Sequence, residues 1–136
     1  VGVGPDQFAE FIFPYQRDIA RHFGRVYYGC CEPVHTRWHV IDRLDNLARV
    51  SVSPWCDEPA MAEAAGRRVV YSRKPNPTLI STEQFAEEPL RADIRATMDA
   101  ARDCRLEIIM KDVHTLCNQP ERLPRWVAIA REEIAR

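Results

Sequence analysis

Along the chain, long amphipathic stretches alternate with short runs of β-branched and aromatic residues, a pattern that predicts successive parallel βα units. Near the amino terminus, Phe8, Phe11, Ile12, Tyr15, Ile19 and Phe23 recur at helical spacing after Pro5 and Asp6. Pro14 is expected to kink this helix and Gly24 to end it. The first strand is expected from Arg25 to Tyr28, followed by the loop Gly29-Cys30-Cys31-Glu32-Pro33 and a helix carrying Trp38, Ile41 and Leu44. A second strand, Ala48 to Val52, leads into Ser53-Pro54-Trp55-Cys56. Asp57 as N-cap and Gly66 as the residue past the end bracket a short helix from Glu58 to Ala65. A third strand runs from Arg68 to Tyr71, and its exit loop, Ser72-Arg73-Lys74-Pro75-Asn76-Pro77, holds two prolines that oppose further sheet. Leu90, Ile94, Met98 and Ala101 form one stripe of a helix from Glu88 to about Asp103. Leu106 to Met110 is the most apolar strand, Lys111 to Gln119 its loop, and the final helix from Pro120 carries Leu123, Trp126, Val127, Ala130 and Ile134.

Four units in 136 residues come to about 34 per unit, close to the roughly 31 of an eight-unit barrel of about 250 residues. The expected fold class is therefore α/β: half of a TIM (β/α)8 barrel, four parallel βα units with a preceding helix, as a single domain over 1–136. The opening helix has no strand before it, which reads as a cut through a longer chain. Nineteen basic and twenty acidic residues give a net charge of −1, so no electrostatic footprint for nucleic acid or an anionic membrane is expected. No apolar run nears the roughly 20 residues of a membrane span, and no signal-peptide pattern opens the chain. A cytoplasmic location with reduced thiols follows, because the five cysteines are odd in number and include the adjacent pair Cys30 and Cys31.

In such a barrel the chemistry sits in loops at the carboxyl ends of the strands. Those loops hold Cys30, Cys31 and Glu32; Trp55, Cys56 and Asp57; Arg73, Lys74 and Asn76; then Lys111, Asp112, His114 and Cys117. Thiols, carboxylates and an imidazole on one rim are zinc-ligand types, although a cysteine after a strand is about as often a small buried hydrophobe. Arg73 and Lys74 could clamp a carboxylate or phosphate, or form ion pairs with Asp112 or Glu32. Trp55 could wall a substrate pocket. His35 and His39 are four apart, but Thr36 stands where a zinc-protease motif needs glutamate, so both read as packing or surface residues. The Val1-Gly2-Val3-Gly4 opening is a lone GxG without a preceding strand.

The stretch VGPDQFAEFIFPYQRDIA, followed in order by VYYGCCEP, RVSVSPWCDEPAMAEAAG, VVYSRKPNP, LEIIMKDVH and PERLPRWVAIA, resembles strands five to eight and their helices in uroporphyrinogen decarboxylases and the related corrinoid-linked methyltransferases. The resemblance covers nearly the whole chain and implies the carboxyl-terminal half of that barrel. It implies two alternative chemistries. One is zinc-dependent methyl transfer with a corrinoid or thiol, Cys30 matching the family's first cysteine while Tyr28 stands at its histidine, and Glu32, His114 or Cys117 completing the zinc ligands. The other is cofactor-free decarboxylation of a tetrapyrrole or other polycarboxylate, with His114 matching a strand-eight histidine beside Asp112. In either, Arg73, Lys74, Asn76, Trp55 and Tyr28 are the expected substrate contacts. Methyl transfer is the first expectation, with a small molecule or corrinoid protein as substrate. A third expectation is a non-catalytic half-barrel, because exposed strand edges favour pairing with a second copy or with the missing half.

Overall fold

A computed structural model describes residues 2–136 as an α/β arrangement built on a four-stranded, all-parallel sheet in the order β1-β2-β3-β4. The strands are β1 (Val26–Tyr28), β2 (Leu47–Val52), β3 (Val70–Arg73) and β4 (Arg105–Ile108). Sequential order means that each connection returns to start the neighbouring strand, which is what the alternating pattern implies. A shift between Val26 and Tyr27 pairs Val26 with Leu47 but Tyr27 with Arg49, leaving Ala48 without a partner on β1.

The first helical segment is α1 (Pro5–Gln7), a π-helical turn over Phe8–Ile12 and α2 (Phe13–Ala20). The Phe13 amide donates to the Phe8 carbonyl, five residues back. That wider turn brings Phe8 and Phe13 to one side, ring centroids 6.3 Å apart, both buried. It also shifts the phase of everything after it. The segment is helical as expected, but Phe11, Tyr15, Ile19 and Phe23, read from the sequence as the packing stripe, face outward and are at least 60% exposed. Pro14 sits in the first turn of α2, where its missing N–H costs nothing.

After β1 comes a 3-10 turn over Val34–Arg37 and α3 (Trp38–Ile41); α4 (Glu58–Ala65) follows β2, α5 (Thr78–Ser81) and α6 (Glu87–Ala100) follow β3, and α7 (Arg122–Ile134) closes the chain. Helix α4 has the bounds its caps predict. Asp57 accepts the Ala60 amide at 3.0 Å, and Gly66 takes φ 52, which a glycine adopts without the steric penalty of a Cβ. Strand β3 lies two residues later than expected, at the cost of burying Ser72 and Arg73.

Period-two alternation divides the sheet into two faces. Val50, Val52 and Tyr71 belong to one apolar cluster with Phe8, Phe13 and Met61. A second cluster joins Ile80, Leu90, Ile94, Trp126 and Ile129, with Ile108 packed against it. The opposite face carries Tyr27, Arg49, Ser51, Ser72, Arg105 and Glu107 in register. Among the described residues no helix is long and apolar enough to cross a membrane.

Candidate functional site

The face away from the apolar clusters is polar and wired together. Ser72 Oγ donates to Glu107 Oε1 at 2.6 Å, so its two lone pairs are free to accept. Lys74 Nζ donates into one at 2.9 Å and the Tyr27 hydroxyl into the other at 3.2 Å. Arg49 pairs with Glu107 at 3.2 Å and lies over the Tyr27 ring, 5.4 Å from its centroid. Lys74 Nζ is 5.3 Å from the same centroid. Burial pushes the Tyr27 phenol up, but hydrogen bonds with Lys74, Ser72 and Ser51 and the Lys74 charge outweigh it, leaving the phenol below its ordinary value.

Two residues continue this alternation past the strand ends. Ser53 follows Ser51, and Lys74 follows Ser72, the Lys74 amide still donating to the Val52 carbonyl at 2.8 Å. They meet at a cleft of about 100 Å³ lined also by Cys31, Trp55, Asn76, Lys111 and Asp112. Trp55 stands 66% exposed at this cleft. Asn76 Oδ1 accepts the Thr78 amide at 3.0 Å, which fixes the side chain while leaving its NH2 group as a donor. Asp112 has φ 57, a left-handed backbone that aspartate tolerates better than most residues. Lys111 Nζ lies 2.9 Å from Asp112 Oδ2 and 2.9 Å from Cys31 Sγ. Its hydrogen bonds to Cys31 and then to Asp112 hold the ammonium above the ordinary lysine value.

Lys74, Asn76, Trp55 and Asp112, expected from their loop positions, are thus brought together. Arg73 and Tyr28 are not. Arg73 occupies the other phase of β3, where its guanidinium meets Glu58 at 2.7 Å and Asp93 at 3.0 Å and donates to the Lys74 carbonyl. It acts on the cleft only by fixing the Lys74 backbone. The Tyr28 hydroxyl donates to Gln16 Oε1 at 3.2 Å on α2, and burial raises its phenol. Of the adjacent thiols, Cys31 reaches the cleft while Cys30 packs against the first apolar cluster, its sulfur accepting the Glu32 amide at 3.3 Å.

The expected zinc ligands point apart. Glu32 pairs with Arg37 at 3.3 Å, His114 lines a separate hollow with Leu116, Gln119 and Leu123, and Cys117 donates to the Ser81 carbonyl at 3.6 Å. Among the described residues no group of three or more histidine, cysteine or acidic side chains is placed to hold a metal ion. Cys30, Glu32, His114 and Cys117 in this arrangement therefore do not fit zinc as a shared ligand set. A thiol–imidazole contact occurs elsewhere. His35 Nδ1 accepts the Asp57 amide at 3.2 Å and lies 3.3 Å from Cys56 Sγ, whose thiol burial pushes up. The pair ties the turn before α3 to the start of α4, a contact that no spacing in the sequence signalled.

Sequence reasoning missed Tyr27, Ser53, Ser72 and Glu107. The available signal was the period-two run of polar residues within otherwise apolar strands.

Comparison of the chain with protein-family models, with curated proteins and with solved structures finds no match.

Proposed function

We propose that the chain is one half of a (β/α)8 barrel, equivalent to strands five to eight of a uroporphyrinogen-decarboxylase-like enzyme, and that it acts on a substrate bearing carboxylate groups. The observation that carries this reading is the connected set Tyr27, Ser72, Lys74 and Glu107 on the face that a closed barrel would turn inward. Sequential parallel order and a cleft at the carboxyl ends of the strands support it.

Of the two chemistries that the resemblance implies, this face favours carboxyl-group chemistry. Loss of CO2 leaves an electron pair on carbon, which must be protonated. Tyr27 is a proton donor whose conjugate phenolate is stabilised by the Lys74 ammonium beside it. Water then restores the phenol proton, and no oxidant or reductant is needed. Completion of the barrel falls to a second copy or to further chain, either of which would cover the free edges of β1 and β4.

The test is CO2 release from uroporphyrinogen and from simpler polycarboxylates by the wild-type chain and by Tyr27→Phe. Release above the uncatalysed rate that drops by about 100-fold in the variant supports the assignment. Folded protein that self-associates, so that a second copy completes the barrel, and still releases CO2 from none of them refutes it.

A further inference from the structure

Lys74 is 5% exposed, yet among the described residues no carboxylate lies within salt-bridge distance of its ammonium; its hydrogen bonds are to the neutral Ser72 and Tyr27 hydroxyls. A buried cation without a counter-ion is costly and needs a compensating partner. A second, independent orphan lines the same cleft. Ser53 is 1% exposed and its Oγ has no hydrogen-bond partner, although buried hydroxyls are almost always satisfied. Glu107, one hydroxyl away through Ser72, is paired directly with Arg49, and Lys111 of the cleft is paired with Asp112, so Lys74 is the cation in excess. With the Asn76 NH2 group, the lining offers one cation without a direct salt bridge and two neutral donors, in a space of about 100 Å³. A share of about 30 Å³ per water puts its capacity at roughly three waters, the size of a single small oxyanion.

We propose that this cleft is a subsite for one oxyanion group of the ligand, a carboxylate or a phosphate, with Lys74 as its counter-ion and the Ser53 hydroxyl and Asn76 amide as its neutral donors. The carboxylate form deepens the proposed function and rests on it; the phosphate form does not. Lys74 links the cleft to the proton donor: it lines the cleft, and its ammonium lies 5.3 Å from the Tyr27 ring centroid. Trp55, exposed at the cleft, reports occupancy, since Trp38 and Trp126 are 6% and 7% exposed.

The experiment is titration of the whole chain, in a buffer free of both anions, with malonate and separately with inorganic phosphate. Tryptophan emission and thermal midpoint are followed for wild type, Lys74→Met, Ser53→Ala and Trp55→Phe. Saturable binding of one anion is expected, weakened about 10- to 100-fold in Lys74→Met and about fivefold in Ser53→Ala, with the emission change absent in Trp55→Phe. The thermal midpoint of Lys74→Met without ligand separates a binding role from a structural one. Replacing an uncompensated buried charge by an apolar group of similar volume should leave the midpoint unchanged or raised.

Binding of malonate supports both the subsite and the decarboxylase reading. Binding of phosphate alone, dependent on Lys74, keeps the subsite and removes the carboxylate substrate. No saturable binding of either anion, affinity equal in wild type and Lys74→Met, or a lower midpoint for Lys74→Met overturns the proposal. If Lys74→Met does not fold, that outcome also overturns it, and Ser53→Ala independently tests the donor geometry.

Discussion

Replacing Arg73 by leucine isolates the strongest buried electrostatic contact beneath the cleft. The Arg73 side chain is 3% exposed and bridges Glu58 and Asp93, themselves only 15% and 21% exposed. Removing one member of such a cluster leaves uncompensated buried charge, which costs about 3–5 kcal/mol. Residual water contact of the two carboxylates places Arg73→Leu near the lower end, about 3 kcal/mol, or a fall of about 10 °C in Tm for a chain of this size. The pH dependence has a definite sign. Burial holds the Asp93 carboxyl above its ordinary value, and the Arg73 charge and hydrogen bond offset only part of that. Without Arg73 the rise is larger, so the folded variant binds a proton more tightly than the unfolded chain. The deficit of the variant must then narrow as pH falls through the raised folded value, and the gain is complete below the unfolded aspartate value of about 3.9. Urea unfolding of both proteins from neutral to acid pH measures this directly. A triple variant with Glu58→Gln and Asp93→Asn should recover at least half of the loss at neutral pH, because no buried carboxylate remains. A deficit under about 1 kcal/mol at neutral pH, or one that widens on acidification, would show that the cluster is solvated and the reasoning mistaken.

Further expectations concern other links of the structure. Asp57→Ala removes the side-chain acceptor for the Ala60 amide at the start of α4 and should cost about 1 kcal/mol by chemical denaturation; no change would mean that solvent satisfies the amide equally well. In ultraviolet difference titration Tyr27 should ionise before Tyr28 and Tyr71, whose phenols burial raises. That first phase should vanish in Tyr27→Phe and move to higher pH in Lys74→Met; a first phase that persists in Tyr27→Phe refutes the assignment. The free edges of β1 and β4, with the outward stripe Phe11, Tyr15, Ile19 and Phe23, lead to an expected sedimentation mass above the 15.7 kDa of one chain. The double variant Tyr15→Glu with Ile19→Glu should return the protein to a monomer, whereas a wild-type monomer at high concentration contradicts this use of the stripe.

How much of this was legible in the sequence differed from element to element for physical reasons. Helix α4 could be bounded to the residue because its signals are local: Asp57 caps the start and Gly66 leaves the helix at positive φ. Strand β3 could not. Arg73 looks like a loop residue until Glu58 and Asp93, 15 and 20 positions away, are known to neutralise it. At the cleft, Lys74, Asn76, Trp55 and Asp112 followed from the rule that loops after parallel strands carry chemistry. Which of two neighbours turns to the open face or the cleft did not follow. Tyr27 and Tyr28, Cys30 and Cys31, and Arg73 and Lys74 each divide between opposite sides, and the bulge at Ala48 fixes the register of β1 only through its partner strand. Polar residues do alternate within β2 and β4, the signal that would have marked the open face, whereas β3 reads Val-Tyr-Ser-Arg and carries no such alternation.

The π turn over Phe8–Ile12 is equivalent to one residue inserted into an ordinary helix. In an uninterrupted α-helix, at about 100° per residue, side chains five positions apart lie about 140° from one another, and Phe8 and Phe13 would point to different sides. Deleting one of the four residues between them would place the two rings at i and i+4, about 40° apart, and keep both on the buried side of a regular helix. The wide turn therefore absorbs the extra residue locally: the chain carries one more residue than a regular helix would need between these two rings, and their common direction is preserved.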